Sequence, residues 1–112
     1  MRENRPWGFY EILIDNPKYK VKRISVNCGK RISYQYHNKR EETWVVVEGE
    51  GVVTIDNKDL QVEQGSTISI KRGQKHRVKC TSSSCLVFIE TQTGEYFGED
   101  DIVRIEDDYG RE

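Results

Sequence analysis

Glycines and turn residues interrupt every window of this 112-residue chain that is long enough for three helical turns, so no amphipathic helix can be drawn through it. Between the interruptions lie short runs rich in valine, isoleucine, threonine and aromatic residues, which suit a pleated, half-buried surface. Glu11 to Asp15 and Tyr19 to Val26 are separated by Asn16-Pro17. Gly51 to Ile55 and Leu60 to Val62 flank a turn at Asp56-Asn57-Lys58, and Ser66 to Ile70 follows Gln64-Gly65. Arg77 to Cys80 and Cys85 to Gln92 flank Ser82-Ser83-Ser84 and read as a last hairpin, with Phe88, Glu90 and Gln92 on one face. Many short strands with tight turns predict an all-β domain, a small double-sheet jelly roll, with Glu90 turned into its interior.

A chain of this length, 33% charged and 35% hydrophobic, predicts one compact domain over residues 1–112 with a modest but sufficient core. The net charge of −1 and the scatter of Lys and Arg argue against nucleic-acid binding. No apolar run approaches the roughly 20 residues of a membrane helix, and the polar start Met1-Arg-Glu-Asn-Arg-Pro-Trp-Gly8 is unlike a signal peptide, so the expectation is a cytoplasmic protein with no membrane partner. Cys28, Cys80 and Cys85 form neither a zinc-ribbon spacing nor an even disulfide set, and reduced thiols are expected.

The chemistry concentrates between Gly29 and Gly49. In an extended strand Gln35 and His37 share a face, opposite Tyr34 and Tyr36. After the charged turn Asn38 to Glu41, the segment from Glu42 through Val47 is expected to pair antiparallel with the first strand and return Glu42 beside His37. Oxygen and nitrogen donors then converge. The second histidine, His76, follows a Gly65 turn, a β-branched strand and a Gly73 turn, and is the candidate fourth ligand.

These residues stand at the spacing of the two cupin motifs. The first reads Gly29, five residues, Gln35-x-His37, four residues, Glu42, six residues, Gly49; the second reads Gly65, five residues, Lys71-x-Gly73-x-x-His76. Gln35 replaces the usual first histidine, and a Gln-x-His pair with a later Glu and His resembles the metal set of phosphomannose isomerases. With Arg5-Pro-Trp-Gly8 at the front, Arg40-x-Glu42-x-Trp44 in the middle and Gly98-Glu-Asp-Asp-Ile-Val-Arg104 near the end, nearly the whole chain resembles the type II mannose-6-phosphate isomerase domain. That domain usually follows a mannose-1-phosphate guanylyltransferase domain; the expectation for this chain is a stand-alone isomerase-like domain.

The resemblance implies a cupin double-stranded β-helix, the jelly-roll barrel, that interconverts mannose 6-phosphate and fructose 6-phosphate with a divalent metal. Gln35, His37, Glu42 and His76 match the ligands. Mixed oxygen and nitrogen donors suit Zn2+ first, and Co2+, Ni2+, Mn2+ or Fe2+ after it. Arg40 matches the arginine of the family's Arg-x-Glu motif. Glu90 and Lys39 are candidates for the proton-transferring base, and Arg40, Arg104 and Lys22 for holding the phosphate of a hexose phosphate. The family often has histidine where this chain has Asn38, Lys39 and Thr43, which keeps open a metal-binding, sugar-recognising cupin without turnover, or a different cupin enzyme acting on a sugar or nucleotide sugar. Segments around Trp7, Tyr10 and Tyr96, taken as exposed, predict a homodimer.

Overall fold

The computed structural model describes residues 2–111. It contains eleven strands: β1 (Arg2–Arg5), β2 (Gly8–Asp15), β3 (Tyr19–Val26), β4 (Tyr34–Tyr36), β5 (Arg40–Glu48), β6 (Glu50–Ile55), β7 (Lys58–Glu63), β8 (Thr67–Ile70), β9 (His76–Cys80), β10 (Leu86–Gly94) and β11 (Val103–Glu106). A six-stranded sheet runs in the order β1-β2-β3-β10-β5-β8, and a five-stranded sheet in the order β11-β4-β9-β6-β7. Every pairing between them is antiparallel.

Period-2 alternation sets the inner faces. Along β5, Arg40, Glu42, Trp44 and Val46 are buried while Thr43, Val45 and Val47 are exposed. The apolar part of the core gathers Ile24, Trp44, Val46, Ile68, Phe88 and their neighbours from the larger sheet against Val53, Val62 and Val78 from the smaller one. Trp44 stacks on Phe88 with ring centroids 4.4 Å apart, and burying each ring contributes roughly 2–3 kcal/mol. In the larger sheet the inner face changes character in mid-strand. The neighbours Ile24, Phe88 and Val46 give way, one pleat along, to Lys22, Glu90 and Trp44, and then to Gln92 beside Glu42.

The turn expected after Ile55 is present. Asp56 and Asn57 take positive φ, 47° and 68°, and make the two-residue turn that pairs Ile55 with Lys58. At Gly49, between β5 and β6, φ is 84° and an added Cβ would run into the Cys85 carbonyl oxygen. Gly49→Ala is therefore expected to lower stability by about 2 kcal/mol or more, read as a downward shift of the urea midpoint with an unchanged slope.

Three expectations are corrected. β4 and β5 are not a hairpin: both edges of β5 are taken, by β10 and β8, in pairings that set Val46 beside Phe88 and Trp44 beside Ile68, so the short β4 pairs with β9 in the other sheet. β9 and β10 likewise lie in opposite sheets. Trp7 and Tyr10 are not exposed; their relative exposures of 9% and 7% place them in the core, which removes their support for a homodimer. β1 and β11, absent from the sequence reading, each add a strand, β1 by turning back at Pro6-Trp7 onto β2 and β11 by pairing along β4.

Candidate metal centre

Because β4 and β5 face each other from different sheets, Gln35 and His76 come from one wall and Glu42 from the other. Gln35 and His76 are register partners on β4 and β9, and Arg104 on β11 is the partner of Gln35 on its far side. His37 leaves the end of β4 and reaches the same place, with its ring centroid 5.3 Å from that of His76. One ligand atom each of His37, Glu42 and His76 lies within 4.8 Å of the others, and all three residues are buried.

The imidazoles are oriented by backbone. His37 Nδ1 donates to the Asp101 carbonyl at 2.5 Å and His76 Nδ1 to the Gln74 carbonyl at 3.0 Å. Both rings therefore carry the proton on Nδ1 and turn a bare Nε2 toward Glu42, 3.3 Å from Oε2 for His37 and 3.9 Å from Oε1 for His76. Backbone carbonyls fix metal-binding histidines in this way. His76 Nε2 is buried and has no hydrogen-bond partner among the described residues. A lone pair so placed lacks a cation or a proton, and the 3.3 Å separation matches the roughly 3.3–3.5 Å between two ligands about 2.1 Å from one ion. The His37, Glu42 and His76 donors thus fit a divalent metal. Gln35 stands at the rim: its Nε2 is 3.3 Å from His37 Nε2 and its Oε1 accepts from Ser33 Oγ at 2.5 Å. Turning the carboxamide over exchanges these atoms and gives Gln35 an oxygen facing the cluster.

Charge is arranged to keep the site ready. Burial pushes the His37 imidazolium down to about 4, helped by Arg40, so the ring is neutral. Burial pushes His76 the same way. Burial works to raise the Glu42 carboxyl, but His76, Arg40 and His37 outweigh it and hold it well below the usual carboxylate range. With both imidazoles neutral, Arg40 is the partner that carries charge near neutrality. Its Nε donates to Glu42 Oε2 at 2.9 Å, and Trp44 Nε1 donates to Oε1 at 3.0 Å. Arg40 Nη2 also lies 3.3 Å from His37 Nε2, a contact it would give up to an ion.

A cavity open to solvent adjoins the cluster. Gln35, Arg40, Glu42 and Glu90 line it, with Lys22 and Arg104. Glu90 is 4% exposed, accepts from Gln92 Nε2 at 2.6 Å, and is pushed up to about 8 by burial and by the negative Glu42. Lys22, equally buried, donates to Glu99 at 2.8 Å and lies 4.2 Å from the centroid of the Tyr10 ring.

Of the residues expected to act as base or to hold the phosphate, Lys39 is the one that does not line the cavity. It is exposed, its amine 5.3 Å from the Tyr96 ring centroid, because the turn before β5 points it outward. Asn38 and Thr43 are exposed too. Sequence reasoning missed Glu99, which bridges Lys22 and Arg40, and Asp101, whose carboxylate accepts from the backbone N–H of Asn38 and Lys39. Their signal was the acidic run Gly98 to Asp101, which supplies carboxylates to cations buried elsewhere.

Comparison with known proteins agrees with this geometry. Solved structures with the same fold include the capsular polysaccharide assembling protein CapF of Staphylococcus aureus, at TM-score 0.81 and 20% identity over 95% of this chain and 34% of that one. The Cnp3 cupin domain of Schizosaccharomyces pombe superposes at TM-score 0.74 and 11% identity, over 77% of this chain and 64% of that one. The architecture is the cupin double-stranded β-helix. Among curated sequences, XanB, a xanthan biosynthesis protein of Xanthomonas campestris, is 43% identical over 107 residues, 96% of this chain and 23% of its own length. A mannose-1-phosphate guanylyltransferase of Klebsiella pneumoniae is 38% identical over the same shares, and the alginate biosynthesis protein AlgA of Pseudomonas aeruginosa 41% identical over 96% of this chain and 22% of its own. The chain thus spans less than a quarter of the length of these relatives. Residues 1–107 match the family described as Mannose-6-phosphate isomerase C-terminal, and with a cupin barrel around a His-Glu-His cluster the chain belongs to that family.

Proposed function

We propose that the domain is a metal-dependent aldose–ketose isomerase interconverting mannose 6-phosphate and fructose 6-phosphate. The observation that carries this reading is the pairing of two unlike, buried carboxyls at one cavity: Glu42, held ionised among two bare imidazole nitrogens, and Glu90, held up to about 8 on the neighbouring strand. Two titratable groups driven apart by their surroundings mark a division of labour between ligand and proton carrier.

A divalent ion, zinc or another borderline metal, held by His37, Glu42 and His76 with Gln35 as a fourth donor, would supply Lewis-acid stabilisation of negative charge on the sugar oxygen. The chain's own groups do the rest. Glu90, with a pKa close to working pH, takes a proton in its ionised form from the carbon beside the carbonyl and returns it to the former carbonyl carbon, while the hydroxyl proton of the first carbon passes to the former carbonyl oxygen. Gln92 fixes its carboxyl by the 2.6 Å hydrogen bond. Arg40 keeps Glu42 ionised and, with Lys22 and Glu99, presents polar groups to the sugar hydroxyls.

The exposed placement of Asn38, Lys39 and Thr43 supports turnover over a purely binding role, since imidazoles at those positions would also point away from the cavity. The test is conversion of mannose 6-phosphate to fructose 6-phosphate by metal-stripped protein, with zinc, cobalt, nickel, manganese or iron restored. Turnover is expected only with metal, and His76→Ala should lower it at least about 100-fold. Metal bound tightly without turnover would leave the domain a binding module.

A further inference from the structure

Sequence reasoning gave the substrate phosphate to Arg40, Arg104 and Lys22, but the partners of these cations separate them. Arg40 is committed to Glu42 and Glu99, and Lys22 to Glu99. Arg104 is different: its Nε is buried and finds no hydrogen-bond partner among the described residues, although a guanidinium N–H out of reach of water is costly to leave unmade.

Two more guanidiniums line the same cavity, Arg5 at the end of β1 and Arg111 beyond β11. Burial lowers the Arg104 pKa first, and the positive charges of Arg111 and Arg5 lower it further against the opposing charges of Asp107 and Glu99, so the three guanidiniums lie within one another's field. Arg111 is partnered by Asp107, at 2.8 and 3.0 Å, whereas Arg5 donates to neutral oxygens, Tyr10 Oη at 3.2 Å and the Asn4 carbonyl at 2.8 Å, with Glu3 3.8 Å away. Arg111 is thus matched by Asp107, whereas Arg5 has only the longer Glu3 contact and Arg104 Nε has no partner among the described residues, which leaves these two open to an anion.

We propose that Arg104, with Arg5 and Arg111 beside it, seats the phosphate monoester of the substrate, leaving Lys22, Arg40 and Glu99 to the sugar. Planar guanidiniums suit a tetrahedral dianion better than a point charge does, since each offers paired N–H donors. The register supports the placement: Arg104, Gln35 and His76 sit opposite one another on the consecutive strands β11, β4 and β9. Neighbouring strands lie about 4.8 Å apart, so the seat is within the span of a six-carbon sugar phosphate whose far end is at the His37–Glu42–His76 cluster. The assignment also gives work to the Arg5-Pro-Trp-Gly8 segment, which the metal cluster leaves unused. It rests on the sugar-phosphate reading of the cavity.

The experiment is calorimetric titration of the metal-free protein with mannose 6-phosphate, mannose and inorganic phosphate, on the unaltered chain and on Arg104→Gln, Arg5→Gln and, as a surface control, Arg72→Gln. Mannose 6-phosphate is expected to bind at least about tenfold more tightly than either of the other two, and each of the first two substitutions to weaken it about tenfold, with mannose binding and the control unchanged. Should Arg104→Gln fail to fold, judged by thermal melting, Arg5→Gln decides. Unchanged affinity in the variants that fold overturns the seat, and so does inorganic phosphate binding as tightly as the ester. Variant-sensitive binding without turnover would keep the seat and sink the isomerase; turnover with an unchanged KM in both variants would do the reverse.

Discussion

Replacing Glu90 by Gln is expected to lower kcat by about 10²–10⁴-fold, the usual cost of removing a positioned general base, while leaving metal affinity within a few-fold of the original. The carboxamide preserves shape and can still meet Gln92, so loss of rate without loss of metal isolates proton transfer from ligation. The same substitution has an opposite effect on stability. The carboxyl titrates near 4.5 in an unfolded chain and is pushed up to about 8 in the fold, so the folded state holds the extra proton between those values. Stability of the metal-free protein therefore falls as pH rises through that window, and the penalty is complete above it. Glu90→Gln should abolish this slope and melt higher than the parent at pH 8.5, by at least about 4 °C, or about 1 kcal/mol. Calorimetric melts between pH 5 and pH 9 give the comparison directly, and equal slopes would show that Glu90 is ionised in the fold.

The second large effect is expected at Glu42. Its carboxylate takes the Arg40 Nε and the Trp44 Nε1, and faces both imidazole nitrogens, so no single group is more connected in the site. Glu42→Ala removes a proposed metal ligand and leaves a guanidinium that is 4% exposed without its main carboxylate. Breaking a buried ion pair from one side costs about 3–5 kcal/mol, to be read from urea unfolding. Cobalt titration of the same variant should show the tetrahedral absorption bands lost. A chain that keeps full metal affinity without Glu42 would contradict the ligand assignment.

The strands other than β1 and β11 were legible in the sequence because their signals are local. β5 alternates strictly, Asn57 accepts the left-handed backbone of a two-residue turn, and Gly49 stands where any side chain would collide. The convergence of Gln35, His37, Glu42 and His76 was legible from spacing, yet the route was not. The short β4 reads as the first arm of a hairpin, and only the competition for the edges of β5, settled by β10 and β8, sends it to the other sheet. Lys39 and Arg40 are neighbours in sequence and both were candidates, but successive residues of an extended chain leave on opposite faces, and only Arg40 enters the cavity. Glu99 and the Arg5–Arg111 neighbourhood were illegible for a different reason. They are contacts between the two ends of the chain and its centre, and no periodicity records which acidic tail residue will meet which buried cation.

From β3 onward, the β6–β7 hairpin apart, successive strands are dealt to opposite sheets, and this has a kinetic meaning. Leu86 lies opposite Val26, Val103 opposite Tyr36, and Gly94 opposite Arg40, so each central pairing must close a loop of tens of residues before it gains any contact. Chains of such topology fold in roughly milliseconds to seconds rather than microseconds. The ligands from β5 and β9 meet only when the two walls come together, so no early intermediate can offer an ion more than one wall's share of donors. On the proposed metal reading, loading of the ion is therefore a late event, a clasp fastened on a barrel already shut.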